Sequence, residues 1–161
     1  MKTSVSPDDV VAAWLGVPET IESVISALTE EELDRSFTKD GMTPRETVHH
    51  LTEANLVSAS MMIAALGASG SIFDWSWLWP NKTWIERVGY AAVPIEPALD
   101  TLKGLCRHLS NVIQASPDAL DREVRVFDSP GAETYALTVR KILRQEVDHA
   151  EEHLSEFRKE T

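Results

Sequence analysis

Apolar positions along the chain recur at helical spacing in four long stretches. The first opens at Ser6-Pro7-Asp8-Asp9, where a serine can cap, a proline stands where no N–H is needed, and acids face the positive end of the helix dipole. Val10, Val11, Trp14 and Leu15 begin its apolar face, and Val24, Ile25 and Leu28 continue it beyond a break at Gly16 and Pro18. Thr29-Glu30-Glu31-Glu32 has the spacing of a capping box and predicts a short turn of helix through Leu33, with loop from Phe37 to Met42. The same signal returns at Thr43-Pro44-Arg45-Glu46 and predicts a second long helix to about Leu66, ending at Gly67. Its stripe is Val48, Leu51, Ala54, Ser58, Met61, Met62 and Ala65. A third helix is expected from Pro97 to Ala115, burying Leu99, Leu102, Leu105, Cys106, Leu109 and Ile113. The fourth is expected from about Glu133 to Lys159, along Tyr135, Val139, Ile142, Leu143, Val147, Ala150, Leu154 and Phe157.

Four long helices and no strong strand predict an all-α fold, a four-helix bundle formed by residues 1–161 as one domain. Only Glu123 to Phe127 alternates like a strand, and Asp128-Ser129-Pro130-Gly131 breaks it. Between helices two and three lies a long connection, residues 67 to 97, holding Trp75, Trp77, Trp79 and Trp84, four of the five tryptophans. Alternation at 75, 77 and 79 predicts rings on one side of an extended segment, followed by a short helix from Asn81 to Tyr90. Such a segment is expected to cover the end of the bundle, to form a dimer contact, or to wall a substrate pocket.

Charge narrows the range of partners. Fifteen basic against 26 acidic side chains leave a formal charge of −11, with no local basic patch, so nucleic acid is not expected as a partner. No stretch approaches the roughly 20 apolar residues of a membrane span, and the first residues lack the apolar run of a secretion signal. Cys106 stands alone and has no internal disulfide partner, in keeping with a reducing compartment. A cytoplasmic protein is the expectation.

The candidate chemistry sits on the fourth helix. His149 and His153 are four positions apart and point the same way, and Glu146 lies within or beside the same apolar stripe. Burying a lone carboxylate costs several kcal/mol, on the order of 3 or more, unless a cation or donor compensates it. On the second helix His50 falls at the edge of the apolar stripe and His49 nearly opposite, so His50 is the one expected to look inward. Three imidazoles, His50, His149 and His153, would leave one face of a metal ion open to water or substrate. Ordinary core or surface histidines are the alternative, and His108, off the stripe of the third helix, is expected at the surface. A rival metal arrangement pairs Glu46-x-x-His49 with Glu146-x-x-His149, as in ferritin-like di-iron bundles; it needs further inward glutamates, for which Glu22 and Glu96 are nearest.

Three stretches carry a family resemblance: Ala27 to Leu33, Gly41-Met42-Thr43-Pro44-Arg45-Glu46-Thr47-Val48-His49-His50-Leu51, and His149-Ala150-Glu151-Glu152-His153. Together they resemble the DinB/YfiT-like superfamily of metal-dependent enzymes, in which a glutamate stands four positions before a His-Leu pair and the fourth helix carries His-x-x-x-His. Met42 departs from the tryptophan that many relatives carry. The resemblance implies a metal triad of His50, His149 and His153 in a bundle that is often a homodimer. It also implies a thiol S-transferase, isomerase or hydrolase type of chemistry on a small-molecule substrate. A divalent ion would activate a small thiol or a water, with Glu146 as orienting group or base. Zinc is the first choice for such a donor set, with nickel, iron and manganese close behind. A non-enzymatic dimerising or ligand-binding module on the same fold is the remaining expectation.

Overall fold

The computed structural model describes residues 7–38, 41–78 and 81–158. The first long apolar stretch folds as two helices, α1 (Pro7–Leu15) and α2 (Val17–Ile25), with Gly16 capping the second and Pro18 in its first turn. Proline supplies no N–H to an i−4 carbonyl, so the ladder is interrupted where the sequence predicts. The serine cap at Ser6 lies outside the described residues. α3 (Glu30–Leu33) and α4 (Pro44–Gly67) both begin on a complete capping box, Thr29 with Glu32 and Thr43 with Glu46. Arg45 ties these two starts together through Asp34, 2.6 Å away, and Glu30, 3.1 Å away.

α5 (Asn81–Val88) and α6 (Glu96–Gln114) follow, and α7 (Val139–Arg158) closes the chain; Lys159 lies outside the described residues. α4 packs on both α6 and α7, and the α1–α2 pair packs on the same two helices, which gives the bundle its four columns. Trp14 is fully buried at its centre, and its indole Nε1 donates to Asn55 Oδ1 at 2.8 Å. Among the described residues no helix is long and apolar enough to cross a membrane.

The fold is mostly helical but not all-α. A small sheet of three strands, β1 (Ile72–Asp74), β2 (Glu123–Phe127) and β3 (Tyr135–Thr138), runs in the order β1-β2-β3, parallel then antiparallel. Val124 and Val126 point into the core while Glu123 and Arg125 face out, the period-two pattern seen in the sequence. The expected start of the last helix near Glu133 is therefore corrected. Residues 135–138 pair with β2 instead, and helix begins at Val139, where Thr138 Oγ1 accepts from the Lys141 amide at 3.3 Å. A helical stripe drawn through Tyr135 leaves Leu137 on its far side; instead Leu137 is buried and Tyr135 is 40% exposed, because pairing with β2 holds these residues extended.

The tryptophan connection also departs from expectation. β1 ends at Asp74, whose Oδ1 accepts from the amide of Ser76 at 2.9 Å and turns the chain into a single 3₁₀ turn, Ser76–Leu78. Trp75 then packs on the core while Trp77 is 60% exposed, so the rings do not share one side. Trp79 and the side chain of Trp84 lie outside the described residues.

Candidate metal centre

α4 contributes His50 and α7 contributes His149 and His153, and the packing of α4 on α7 brings them together. The Nε2 atoms of His50 and His149 are 3.1 Å apart, and those of His153 and His149 are also 3.1 Å apart. The ligand atoms of all three lie within 4.8 Å of one another, with the rings steeply inclined. Neutral imidazole has a single N–H, so three nitrogens meeting at one point cannot all be satisfied by one another. A cation at bond lengths of about 2.05 Å would hold adjacent nitrogens about 2.9–3.3 Å apart, and the two separations from His149, 3.1 Å each, fall in that range.

Electrostatics point the same way. Burial first, and the neighbouring His149 and His153 second, push the pKa of His50 down to about 3. His153 is lowered too, by burial and then by His149. Both rings are thus neutral at physiological pH, the form a metal ligand must take.

Glu146, one turn before His149, is 7% exposed. Its Oε1 accepts from Ser58 Oγ at 2.6 Å. Its Oε2 is buried without a hydrogen bond and lies 4.0 Å from His149 Nδ1. A buried carboxylate oxygen left open beside a cluster of ring nitrogens fits a centre that is completed by positive charge.

His49 turns elsewhere. It is buried rather than exposed, stacked on Tyr90 with ring centroids 5.1 Å apart, and its Nε2 donates to the Val93 carbonyl at 3.2 Å. The expectation that it faces away from the bundle stripe holds, but the far side of α4 is not solvent: the chain around Tyr90 covers it. Glu46 is engaged in the Thr43 cap, Glu22 pairs with Lys103 at 2.8 Å, and Glu96 is exposed, so the rival di-iron set is not assembled among the described residues. His108 is exposed, as expected.

His50 and His149 reach two cavities. A wide cleft of about 660 Å³, which His153 also lines, is rimmed by Glu46, Glu86, Glu152 and Glu156. A narrow chamber of about 130 Å³ is lined by Glu53, Ser58, Trp75, Leu78 and Glu146 beside the two histidines. Ser58 was legible only as a small residue in the apolar stripe of α4. Glu53 lies at i+3 from His50 and so shares its helix face, a spacing that could have singled it out.

A helical bundle carrying three imidazoles at one interior point, with no fourth protein ligand among the described residues, defines a class of helical proteins built to present an open nitrogen site. Residues 13–157 match the DinB superfamily, and the chain belongs to it. A proposed metal-dependent hydrolase of Geobacillus kaustophilus is 28% identical over 122 residues, 75% of this chain and 67% of that protein. One of Oceanobacillus iheyensis, described in the same words, is 22% identical over 151 residues, 91% of this chain and 83% of the relative. Among solved structures, YfiT from Bacillus subtilis, described as a probable metal-dependent hydrolase with an unusual four-helix bundle topology, superposes with a TM-score of 0.81. That match covers 99% of this chain and 89% of YfiT at 18% sequence identity, and it establishes the shared fold.

Proposed function

We propose that the protein is a metal-dependent enzyme in which His50, His149 and His153 hold a divalent cation, zinc in the first instance, and that it acts on a small molecule by hydrolysis or thiol transfer. The observation that carries this reading is the meeting of three ring nitrogens at one point between α4 and α7. The names of the relatives favour the hydrolase half. A dication held by three neutral ligands keeps its full charge and supplies Lewis acidity towards a water or a thiol.

The chain's own residues have distinct tasks in this reading. Glu146, held by Ser58, is placed to take the Nδ1–H of His149 after a small rotation, which fixes the ring and its tautomer. Trp75 and Leu78 close the narrow chamber against water. The wide cleft is the route by which substrate enters. A second copy of this chain, and a low-molecular-weight thiol for the transfer reaction, complete the proposed set of partners in the cytoplasm.

The test is elemental analysis of protein purified without a polyhistidine tag, beside hydrolysis of p-nitrophenyl esters and conjugation of a bimane electrophile to cysteine. About one divalent ion per chain and an activity that disappears with chelator are expected. A chain that takes up no first-row ion at all would sink the proposal.

A further inference from the structure

We propose that the narrow chamber behind the histidines is a subsite for an aliphatic ammonium group of the substrate, held between Glu146 and Glu53 and walled by Trp75. Its place in a reaction rests on the metal-centre reading, because His50 and His149 form one wall; the binding itself does not.

Size comes first. An engineered cavity of about 150 Å³ holds a benzene molecule, so a chamber of about 130 Å³ has room for an alkyl chain of a few carbons and its head group. The walls divide by chemistry. Ala54, Val57 and Leu78 are apolar, while Glu53 from α4 and Glu146 from α7 bring two carboxylates. No lysine or arginine stands among the described residues of the lining. An anion would meet two like charges there, and a neutral alcohol would leave them uncompensated.

Two buried atoms of the chamber's lining residues also lack partners. Glu146 Oε2 is an open acceptor, and Trp75 Nε1 is an open donor. An ammonium group donates to the first and lies against an indole ring, the aromatic surface that attracts cations best. The indole N–H is left for an acceptor elsewhere on the same molecule. Glu53 is preorganised for its part, since its Oε2 accepts from the Tyr90 hydroxyl and that ring is in turn stacked on His49. A hard divalent ion is a poorer occupant, because calcium takes six to eight oxygens and magnesium about six. Among the described lining residues, side-chain oxygens come from Glu53, Glu146 and Ser58 alone. Approach favours cations as well: Glu46, Glu86, Glu152 and Glu156 line the cleft on the other side of the histidines and concentrate positive solutes at its mouth.

The experiment is calorimetric titration of the full chain at low salt with n-butylammonium, butan-1-ol and butyrate, each with the metal loaded and after chelation. Butylammonium is expected to bind at least tenfold more tightly than the other two in both preparations. Glu53→Gln, which keeps an acceptor for Tyr90, should weaken butylammonium at least tenfold and leave butanol unchanged. Val57→Phe, which fills the chamber, should abolish binding while metal content stays at the wild-type level. Butanol or butyrate binding as tightly as butylammonium would overturn the subsite. So would butylammonium binding that neither variant weakens, or no butylammonium binding by protein that retains its metal. Should the chain take up no first-row ion when loading is attempted and still bind butylammonium, the subsite stands and the metal reading falls.

Discussion

His50 and His149, 99 positions apart in the chain, stand with their Nε2 atoms 3.1 Å apart and their ring planes at 87° to one another. The adjacent His49 is turned onto Tyr90 and the Val93 carbonyl. This difference between neighbours separates metal retention from folding. His50→Ala and His153→Ala should each empty the site, read by mass spectrometry of the metal after dialysis, and leave the helical circular-dichroism signal intact. His49→Ala should keep the metal yet lower stability by about 1–3 kcal/mol, because it removes a buried ring stacked on Tyr90 and its hydrogen bond to Val93. Metal lost from His49→Ala and kept by His50→Ala would reverse the assignment.

Glu146 holds Ser58 with one oxygen and leaves the other near His149 Nδ1. Removing the charge while keeping the shape, as in Glu146→Gln, should weaken metal affinity by about 10–100-fold if the carboxylate orients His149. Ser58→Ala should instead cost stability, about 1–3 kcal/mol, by stranding Oε1, with a smaller effect on the metal. Competition against a fluorescent chelator reads the first effect and urea denaturation the second. Equal affinity in wild type and Glu146→Gln would assign Glu146 to packing alone.

How much of this was legible in the sequence follows from the range of the interactions involved. Caps at Thr29 and Thr43 are local chemistry over four residues, and both helices begin where they predict. The facing of His50, His149 and His153 follows from helical period, which is also local. Residues 133–138 misled because the interaction that decides them is pairing with β2, a partner that lies outside the helical pattern Tyr135 continues. Trp77 misled because one hydrogen-bonded turn at Asp74 ends the alternation. At His49 the outward facing was legible and its cover was not. Period shows which face leaves the core, but not that another part of the chain will cover that face.

Acid should weaken the metal-free protein in a defined window. The pKa of His50 falls from an ordinary 6.5 to about 3 on folding, so between those values the unfolded chain binds more protons than the folded one. Stability therefore rises with pH across the window and is lost as pH falls below about 6.5, by an amount on the order of a few kcal/mol. The lowering at His153 acts in the same sense. Chelated protein followed by urea denaturation from pH 7.5 to 4 should show this slope, and His50→Ala should flatten it. A slope unchanged in His50→Ala would place the acid sensitivity in other groups.

Cys106 should take no part in thiol chemistry. It is fully buried on α6, and burial above all, with the fields of Glu19 and Glu146 behind it, pushes its pKa up to about 12. A thiol so placed is almost wholly protonated at pH 8 and shielded from reagents. Iodoacetamide at pH 8 should leave the native protein unlabelled and add one group after denaturation, read by intact mass. Cys106→Ala should keep both metal and activity. Labelling of the native protein would mean that the core around α6 opens more readily than its packing implies.

Metal binding should also be visible as stability, since the three histidines meet only in the folded chain. A ligand that binds the native state alone adds RT ln(1 + [L]/Kd), about 2.7 kcal/mol at a free concentration of 100 Kd. In a chain of this length each kcal/mol moves the melting temperature by about 2–4 °C, so loading should raise it by roughly 5–10 °C. The rise should vanish in His50→Ala and His153→Ala. It should persist in His49→Ala, from a lower starting temperature, because that ring supports the fold without facing the centre. A melting temperature indifferent to both metal and chelator, in wild type and all three variants, would mean that the imidazoles meet without binding an ion tightly. The bundle would then have to be understood as a binding module whose histidines serve packing.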